Sequence, residues 1–331
     1  MRILNAKDKP IKVFGIPFFE EKKIYERLPE QLREEIPNLK FFGRRCPGAR
    51  VCFKTDATEF TVTISFKTLA FDIGMSIYAC QSASVMVGDR QNSEFCGLIN
   101  PPDYNTKTFS KTFNKSNKLE DVTIWLPRNE ELDNIEISFP DSALVEAPTP
   151  YKYGPALYYG SSITEGGCCC NVTNGYNAIL SRLLDLDYYN FGFSGSALGE
   201  ITMAEYISTI NFNIFVYDYD YNAPDAEHLR KTHEAFFRVI RKNKPSVPII
   251  MLSRPNFDYS ADGAERREII ENTYKNALAD GDKNVYFIDG ETFFGDSDRE
   301  LCTIDTIHPN DLGFYRMAQT ILPVMKKIIE N

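Results

Sequence analysis

The periodicity of the sequence changes near residue 150, and this change constrains the fold more than any other feature. Before it, short β-favouring stretches follow one another without helices, and Glu59–Phe66 alternates polar with apolar residues. This pattern predicts an antiparallel β-sandwich. After it, β-favouring stretches alternate with helical ones, which predicts a parallel sheet with helices on both faces. A proline-containing segment at 140–153 predicts a linker, and therefore two domains at 1–147 and 148–331.

The elements can be placed along the chain from these patterns. In the first part we predict a helix at 30–35 and strands at 51–54, 59–66, 76–80, 84–87, 107–113, 121–126 and 135–139. In the second part we predict strands at 156–159, 188–191, 214–219, 248–252 and 285–288, and helices at 174–184, 203–210, 225–243, 263–279 and 310–329. Functional groups of parallel sheets gather beyond the carboxyl ends of the strands. The residues at those positions are Ser162, the segment 192–195, Asn222, Arg254 and Asn256.

Charge and hydropathy exclude several classes of partner. The 37 basic and 46 acidic residues give a net charge of −9, which repels nucleic-acid phosphates and anionic lipid surfaces. The nearest approach to a basic patch consists of Lys107, Lys111, Lys115 and Lys118, but no aromatic stacking pattern accompanies these lysines, so a solvated loop between strands is favoured. No stretch reaches the roughly 18 apolar residues of a membrane span. We therefore predict no nucleic-acid or membrane partner.

The N-terminus and the cysteines indicate the compartment. Residues 1–10 carry charges where a signal peptide needs an apolar run, which predicts a cytoplasmic protein. The eight cysteines lack the CxxC spacing of metal and redox sites, even in the run Cys168, Cys169 and Cys170. We expect buried or half-buried thiols, and neither a metal nor an organic cofactor.

A candidate nucleophile occurs at residues 158–166, which read YYGSSITEG. An apolar run breaks there at a glycine and two serines before a helical pattern begins, so the segment predicts a strand-to-helix turn that presents a hydroxyl. A serine becomes a useful nucleophile when it is exposed, close to a base and beside donors for an oxyanion. On these residues alone, either Ser161 or Ser162 could be the one presented.

Only three histidines are available as the base. His228 and His233 are five residues apart on the predicted helix 225–243, and this spacing does not place both on one face. We predict surface or helix-packing roles for them. His308 lies three residues after Asp305, in a loop before the last helix, so the carboxylate could orient the ring while the other nitrogen faces a serine. The structural alternative is that Asp305 caps a turn and His308 packs at the helix start.

Four blocks, in order, resemble those of SGNH (GDSL-type) hydrolases. They are GSSIT at 160–164, NFGFSG at 190–195, DYN at 220–222 and DTIH at 305–308. The similarity extends over about residues 154–325, and it implies a flavodoxin-like three-layer α/β/α domain with a parallel sheet. The N-terminal sandwich resembles the jelly-roll-like domain that precedes the catalytic unit in some SGNH carbohydrate esterases.

The resemblance also implies the roles of individual residues. Ser162 would be the nucleophile, His308 the base and Asp305 the residue that orients the base. The oxyanion hole would consist of the Ser162 N–H, the Gly195 N–H and the Asn222 side chain. These assignments select Ser162 from the two serines of the turn.

The chain departs from the family pattern at two positions. Ser161 stands where the family usually has aspartate, immediately before the nucleophile. Asp220 stands where the third block usually has glycine, and Asp218 adds a second carboxylate near it. These two carboxylates could repel anionic substrates, bind sugar hydroxyls or have a structural role. We favour the structural role. Asp220, Arg254 and Asn256 are candidate substrate-binding residues. For Arg254, a salt bridge that fixes a loop is an equal alternative.

Together these observations predict a serine esterase that removes O-acyl groups from a carbohydrate or another small polar molecule. The expected acyl group is acetyl. One alternative is an acyltransferase that uses the same three residues. The other is a non-catalytic carbohydrate-binding protein, which the complete set of blocks disfavours.

Overall fold

Two antiparallel sheets make up most of the N-terminal half of the chain. The computed structural model describes residues 1–70, 72 and 74–330. The strands of this half are β1 (Arg2–Asn5), β2 (Lys12–Phe14), β3 (Arg50–Thr55), β4 (Glu59–Phe66), β5 (Ala83–Val87), β6 (Glu94–Ile99), β7 (Thr108–Asn114), β8 (Glu120–Trp125), β9 (Leu132–Phe139) and β10 (Val145–Glu146). Its helices are α1 (Phe19–Lys22), α2 (Glu30–Glu35) and α3 (Ile77–Gln81). One sheet has the order β1-β9-β4-β7, and the other has the order β10-β3-β8-β5-β6 with β2 paired to β3.

The core between these sheets is filled by the apolar positions of the alternating strands. In β4, the side chains of Phe60, Val62 and Ile64 are fully buried. Phe53, from the other sheet, contacts Phe60 edge to face with 5.9 Å between the ring centroids. The period-two pattern therefore predicted the buried face correctly, and the predicted antiparallel sandwich is confirmed.

Several N-terminal elements differ from the predictions. The strand predicted at 76–80 is wrong, because this segment forms α3 with Ser76 as its N-cap. The Ser76 hydroxyl accepts a hydrogen bond from the Ala79 N–H at 3.3 Å, and a short apolar run does not by itself distinguish a helix from a strand. Strands β1, β2, β6 and β10 were not predicted. Strand β10 and the start of the next strand lie within the predicted linker 140–153.

The C-terminal half is built on a five-stranded parallel sheet. Its strands are β11 (Tyr153–Gly160), β12 (Leu186–Gly192), β13 (Ile214–Asp218), β14 (Ile249–Leu252) and β15 (Val285–Ile288). Its helices are α4 (Ser162–Glu165), α5 (Tyr176–Leu184), α6 (Ile201–Thr209), α7 (Ala226–Asn243), α8 (Gly263–Ala279) and α9 (Asp311–Glu330). The strand order is β12-β11-β13-β14-β15, which is the flavodoxin-like order and confirms the predicted fold. Within residues 1–70, 72 and 74–330, no helix has both the length and the apolar composition needed to cross a bilayer.

The sheet is covered by helices on both faces. Leu157 and Tyr159 of β11 pack on the side of α6, α7 and α8, while Ala156 and Tyr158 pack on the side of α5 and α9. Residues from the N-terminal half complete the first of these layers: Leu28, Leu32, Ile36 and Leu39. The boundary between residues 147 and 148 stays a prediction.

Candidate active site

Ser162 stands at the sharp turn between β11 and α4. Strand β11 ends at Gly160, where a Cβ atom would lie 2.0 Å from the Thr164 hydroxyl oxygen, so only glycine fits. Ser161 is the N-cap of α4, and its hydroxyl accepts a hydrogen bond from the Ile163 N–H at 3.1 Å. Ser161 is buried, whereas Ser162 lines a surface pocket. The turn uses the first serine as a cap and presents the second.

Ser162, His308 and Asp305 form one continuous hydrogen-bonded chain. The Ser162 Oγ atom is 2.9 Å from His308 Nε2, and His308 Nδ1 is 2.7 Å from Asp305 Oδ2. A carboxylate beside Nδ1 favours the tautomer with its proton there, which leaves Nε2 free to accept the hydroxyl proton. The other carboxylate oxygen of Asp305 accepts the His308 N–H at 2.7 Å and the Ile307 N–H at 3.0 Å. The structure therefore brings together the three residues predicted as nucleophile, base and orienting group.

The hydrogen bonds to Asp305 also affect its ionisation. Partial burial raises the pKa of Asp305, but hydrogen bonds from the His308 N–H, the His308 ring and the Ile307 N–H outweigh it. The net effect of burial and these hydrogen bonds is a pKa of this carboxyl below its usual value, so the group remains ionised at neutral pH. An ionised Asp305 can stabilise a positive charge on the His308 ring.

The loop that carries Asp305 and His308 is fixed by its own backbone. Thr306 has a left-handed backbone conformation with φ of 72°, which is rare for a β-branched residue. Its N–H donates to the Thr303 hydroxyl and its carbonyl accepts from Asn256 Nδ2, both at 3.1 Å. These contacts fix the loop and therefore the distance between the Asp305 carboxylate and the His308 imidazole.

The predicted oxyanion-hole residues follow three adjacent strands. Ser162 follows β11, Gly195 follows β12 and Asn222 follows β13, and all three line the same pocket. Ser162 is the first residue of α4, a position whose N–H has no acceptor within the helix. Asn222 Oδ1 accepts the Gly195 N–H at 3.1 Å, while its Nδ2 donates to the Phe193 carbonyl at 2.7 Å. The residues are together, but the Gly195 N–H is directed at Asn222, and one Nδ2 hydrogen of Asn222 is also engaged.

The pocket around Ser162 has a volume of about 520 Å³ and walls of mixed character. Besides the polar residues above, Met75, Cys168, Tyr221, Ile304 and Ile307 line it. Met75 belongs to the N-terminal half, so this half supplies part of the wall. The two isoleucines are exposed, and they form an apolar rim beside the histidine.

Known families match both halves of the chain. The profile of the GDSL-like lipase/acylhydrolase family matches residues 154–326. The chain belongs to this family. The GxDLY profile, which describes the N-terminus of SGNH-hydrolase-type esterases, matches residues 1–145. The predicted resemblance is confirmed, and the protein is an esterase-type enzyme of the GDSL family.

Solved structures share the fold of this GDSL-family enzyme. A GDSL-like lipase from Bacteroides ovatus superposes with a TM-score of 0.88 at 24% identity, over 99% of this chain and 98% of that one. The salicylyl-acyltransferase SsfX3, from a tetracycline biosynthetic pathway, gives 0.81 at 19% identity over 99% and 97%. A family two carbohydrate esterase from Clostridium thermocellum gives 0.64 at 17% identity over 86% and 93%. At these identities the likeness concerns the fold. No protein with a curated description matches the sequence.

Three candidate substrate-binding residues of the enzyme are not among the residues that line the pocket. Arg254 Nη2 is 2.8 Å from Asp220 Oδ1, and Arg266 lies 3.5 Å from the same oxygen. Asn256 uses its Oδ1 to accept a hydrogen bond from Arg299 Nη2 at 2.9 Å. Arg254, Asn256 and Asp220 are all buried. Their side chains hold neighbouring loops together, which is the structural alternative considered for Arg254.

Asp218 is also buried, and it supports the turn that carries the nucleophile. Its Oδ2 atom accepts hydrogen bonds from the Thr164 hydroxyl and the Tyr176 hydroxyl, both at 2.9 Å. Burial raises the pKa of Asp218 to about 7, although these two hydrogen bonds oppose the shift. The nearby Asp220 adds to the increase. Asp218 is therefore largely protonated below neutral pH.

This shift predicts a pH-dependent stability. An unfolded aspartate ionises near pH 4, and folded Asp218 near pH 7. Between these values the unfolded state binds fewer protons, so Asp218 makes the free energy of unfolding fall as pH rises from about 4 to about 7. Asp218→Asn removes this titration but keeps an oxygen that accepts from Thr164 and Tyr176. In urea unfolding, we expect the variant to gain stability relative to wild type between about pH 4.5 and about pH 7.5. A difference that does not vary with pH would contradict this account.

The sequence patterns missed a buried ion pair beneath the second block. Arg27, which is fully buried, donates to the carbonyls of Asn190 and Gly192 at 2.9 and 2.5 Å. It also lies 3.5 Å from Glu165 Oε1, while Glu165 Oε2 accepts the Ser194 N–H at 3.1 Å. The N-terminal half thus supports the loop that carries Gly195. No local pattern around Arg27 indicated this role, because its partners are distant in sequence.

The other histidines have packing roles. His233 is buried, stacks on Tyr217 with 4.4 Å between the ring centroids, and its Nδ1 is 2.9 Å from the Thr273 hydroxyl. Burial lowers the pKa of His233 to about 3, so it remains neutral. His228 Nε2 is 2.8 Å from the Leu198 carbonyl. These contacts agree with the predicted helix-packing roles.

The cysteines are all free thiols. Most are buried or half-buried as predicted, but Cys170 is exposed. Within the described part of the chain, no group of three or more His, Cys, Asp and Glu side chains is placed to hold a metal ion.

Proposed function

We propose that this enzyme is a serine esterase that hydrolyses short O-acyl esters of a carbohydrate or another small polar alcohol. Acetyl esters are the substrates that we expect it to prefer. The observation that carries the proposal is the hydrogen-bonded chain from Ser162 through His308 to Asp305, with distances of 2.9 and 2.7 Å. The three side chains come from the first and last blocks of the catalytic half, 146 residues apart. This arrangement matches the nucleophile, base and orienting group of acyl transfer.

The chemistry proceeds in two steps that use only residues of the chain. His308 Nε2 takes the hydroxyl proton as Ser162 Oγ bonds to the ester carbonyl carbon, and the carbonyl oxygen becomes an oxyanion. His308 then gives the proton to the leaving alcohol as its C–O bond breaks, which leaves an acyl-serine. Water attacks the acyl-serine in the same way, and the acid is released. Asp305 stabilises the imidazolium that forms in each step.

A small polar substrate is supported by the pocket and by the fold relatives. The pocket of about 520 Å³ combines hydroxyl, amide and carboxylate groups with a few apolar side chains. The Clostridium thermocellum esterase of the same architecture is a carbohydrate esterase that was solved with cellohexaose. We therefore place acetylated sugars at the head of the substrate candidates.

The test is a hydrolysis assay on a graded set of esters. We expect the purified protein to hydrolyse para-nitrophenyl acetate, and kcat/KM to fall as the acyl chain is lengthened from acetyl to octanoyl. Acetylated mono- and oligosaccharides then identify the alcohol by acetate release. Absence of hydrolysis across the whole set would refute the proposed activity.

Asn222 is expected to stabilise the oxyanion through Nδ2. Losing one such donor typically lowers kcat by about 10² to 10³, and we expect a decrease of this size for Asn222→Ala. Asn222→Asp is the matched variant, because it keeps an acceptor for the Gly195 N–H but cannot donate. If Asn222 acts as a donor, both variants lose activity in the para-nitrophenyl acetate assay. Wild-type activity in Asn222→Asp would mean that Asn222 only holds the Gly195 loop.

An acyltransferase that uses the same residues is the second candidate, and the shared architecture with the salicylyl-acyltransferase SsfX3 favours including it. The two activities differ in which nucleophile attacks the acyl-serine. Para-nitrophenyl acetate is supplied with added sugars, and acetate release is compared with formation of acetylated sugar. Transfer that exceeds hydrolysis at millimolar acceptor would identify an acyltransferase.

A further inference from the structure

Arg128 is a buried arginine whose side-chain partners are two sulfur atoms, those of Met75 and Cys80. It follows β8 and is 3% exposed. Its Nη2 contacts the Met75 sulfur, and its Nε atom is buried without a hydrogen-bond partner. Among residues 1–70, 72 and 74–330, no carboxylate lies within 4.0 Å of its guanidinium group. An unpaired buried charge is unfavourable, so a stable fold keeps one only where something else compensates it.

Most of the other buried arginines differ from Arg128. Each of the following has a carboxylate within ion-pair distance: Arg27, Arg33, Arg50, Arg90, Arg254 and Arg266. Arg45, like Arg128, forms no ion pair among the described residues, but its guanidinium group stacks on the Phe41 ring, 3.8 Å from the ring centroid. The neighbouring thiols do not supply a compensating charge to Arg128, because burial raises the pKa of Cys168 to about 11 and also raises that of Cys80.

The guanidinium group of Arg128 lies directly behind the wall of the Ser162 pocket. Met75, Gly167 and Cys168 form this part of the wall. A Cβ atom on Gly167 would be 3.4 Å from Arg128 Nη1, and the Gly167 N–H donates to the Ser162 carbonyl at 2.7 Å. Both terminal nitrogens of Arg128 therefore approach residues that contact the pocket. The Met75 side chain covers one of them, and methionine is flexible enough to move aside.

The acidic residues of the pocket leave Arg128 without a counter-ion. Asp305 lines the pocket, but its two oxygens are occupied by the His308 ring and by two backbone N–H groups. Asp72 also lines the pocket, and it forms no ion pair with Arg128 in the described part of the chain. Asp218 and Asp220, which could have repelled anions, are buried in hydrogen bonds of their own.

We propose that the pocket accepts an ester that carries a carboxylate, and that Arg128 binds this group after Met75 moves aside. The inference rests on the proposed esterase function and narrows its substrate class. A planar carboxylate can accept two parallel hydrogen bonds from a guanidinium group, which a thioether cannot. The carboxylate belongs either to the acyl part or to the alcohol part of the ester, and the two sources share the same chemistry at Arg128.

The test compares anionic esters with neutral esters of nearly the same shape. In the acyl arm, 4-nitrophenyl hydrogen adipate is compared with its methyl ester. In the alcohol arm, 3-acetoxybenzoate is compared with methyl 3-acetoxybenzoate. For each pair the ratio of kcat/KM for the anionic ester to kcat/KM for the neutral ester is measured. We expect Arg128→Gln to lower this ratio by about tenfold to a hundredfold in one arm, the size of a lost charge-assisted hydrogen bond. The affected arm identifies the part of the substrate that carries the carboxylate.

Two further variants separate substrate binding from support of the fold. Arg90→Gln removes a buried arginine that pairs with Asp185 at 3.1 Å, away from the pocket, and should leave both ratios unchanged. Met75→Ala uncovers Arg128 and should raise the ratio in the affected arm. The proposal would be overturned if both ratios were the same in Arg128→Gln as in the wild type. If Arg128→Gln does not fold, the proposal would be overturned if both ratios were the same in Met75→Ala as in the wild type. If the proposal fails in either of these ways, Ser162-dependent hydrolysis of the neutral esters would still be observed. Hydrolysis of the neutral esters therefore tests the esterase function independently of Arg128.

Discussion

Ser162→Ala is expected to lower kcat for para-nitrophenyl acetate by a factor on the order of 10⁶, the size of the loss when the nucleophilic serine of a triad is removed. The alanine leaves His308 and the pocket in place but removes the atom that bonds to the acyl carbon. Initial rates with both proteins at equal concentration measure the effect, after subtraction of spontaneous hydrolysis.

The neighbouring serine provides a matched control. Ser161→Ala removes the hydroxyl that accepts the Ile163 N–H, so it should cost about 1 kcal/mol of stability while retaining most of the activity. A large loss of activity in Ser161→Ala together with an active Ser162→Ala would reverse the roles assigned to the two serines.

Asp305→Asn is expected to lower kcat by a factor on the order of 10⁴, the size of the effect of the same change in a Ser-His-Asp triad. The asparagine oxygen can still accept the N–H groups of Ile307 and His308, so the loop should keep its shape. Its NH₂ group would then face His308 Nδ1, which favours the tautomer whose Nε2 already carries a proton and cannot accept another. Steady-state rates measure the loss, and thermal unfolding checks that the variant is folded.

Asp305→Ala extends this test. It removes both the orienting oxygen and the acceptor for the two backbone N–H groups, so we expect a loss of activity at least as large and a lower Tm. Unchanged activity in Asp305→Asn would remove Asp305 from the mechanism and would leave it only the turn-capping role.

The alternation of strands and helices after residue 150 predicted the fold of the C-terminal half well. The helix Gly263–Ala279 and the strand Val285–Ile288 were predicted with their observed bounds, because each follows its neighbour in this alternation. Short elements were harder to predict. Strands β2 and β10 have 3 and 2 residues, too few for any periodicity. At 76–80, the apolar run indicated a strand, but the segment forms a helix that the Ser76 hydroxyl caps.

For the candidate site, too, the sequence predicted the residues that lie in local motifs and missed those whose partners are distant in the chain. Ser162, Gly195 and Asn222 each follow a predicted strand, so the sequence could place them at one edge of the sheet. Asp305 and His308 were predicted from their spacing in a loop and from the family resemblance. Arg27 and Arg128 lie in no such block. Arg27 reaches carbonyls 163 and 165 residues away, and contacts of this kind leave no local pattern. They become visible only when both halves of the chain are packed together.

The identity of the nucleophile is tested most directly by a covalent label. A fluorophosphonate reacts with a serine only when a base activates it, and peptide mass spectrometry then locates the adduct. We predict a single adduct on Ser162, which forms at a strongly reduced rate in Asp305→Asn and is absent from Ser162→Ala. An adduct on Ser161, or equal labelling of wild type and Ser162→Ala, would contradict the account.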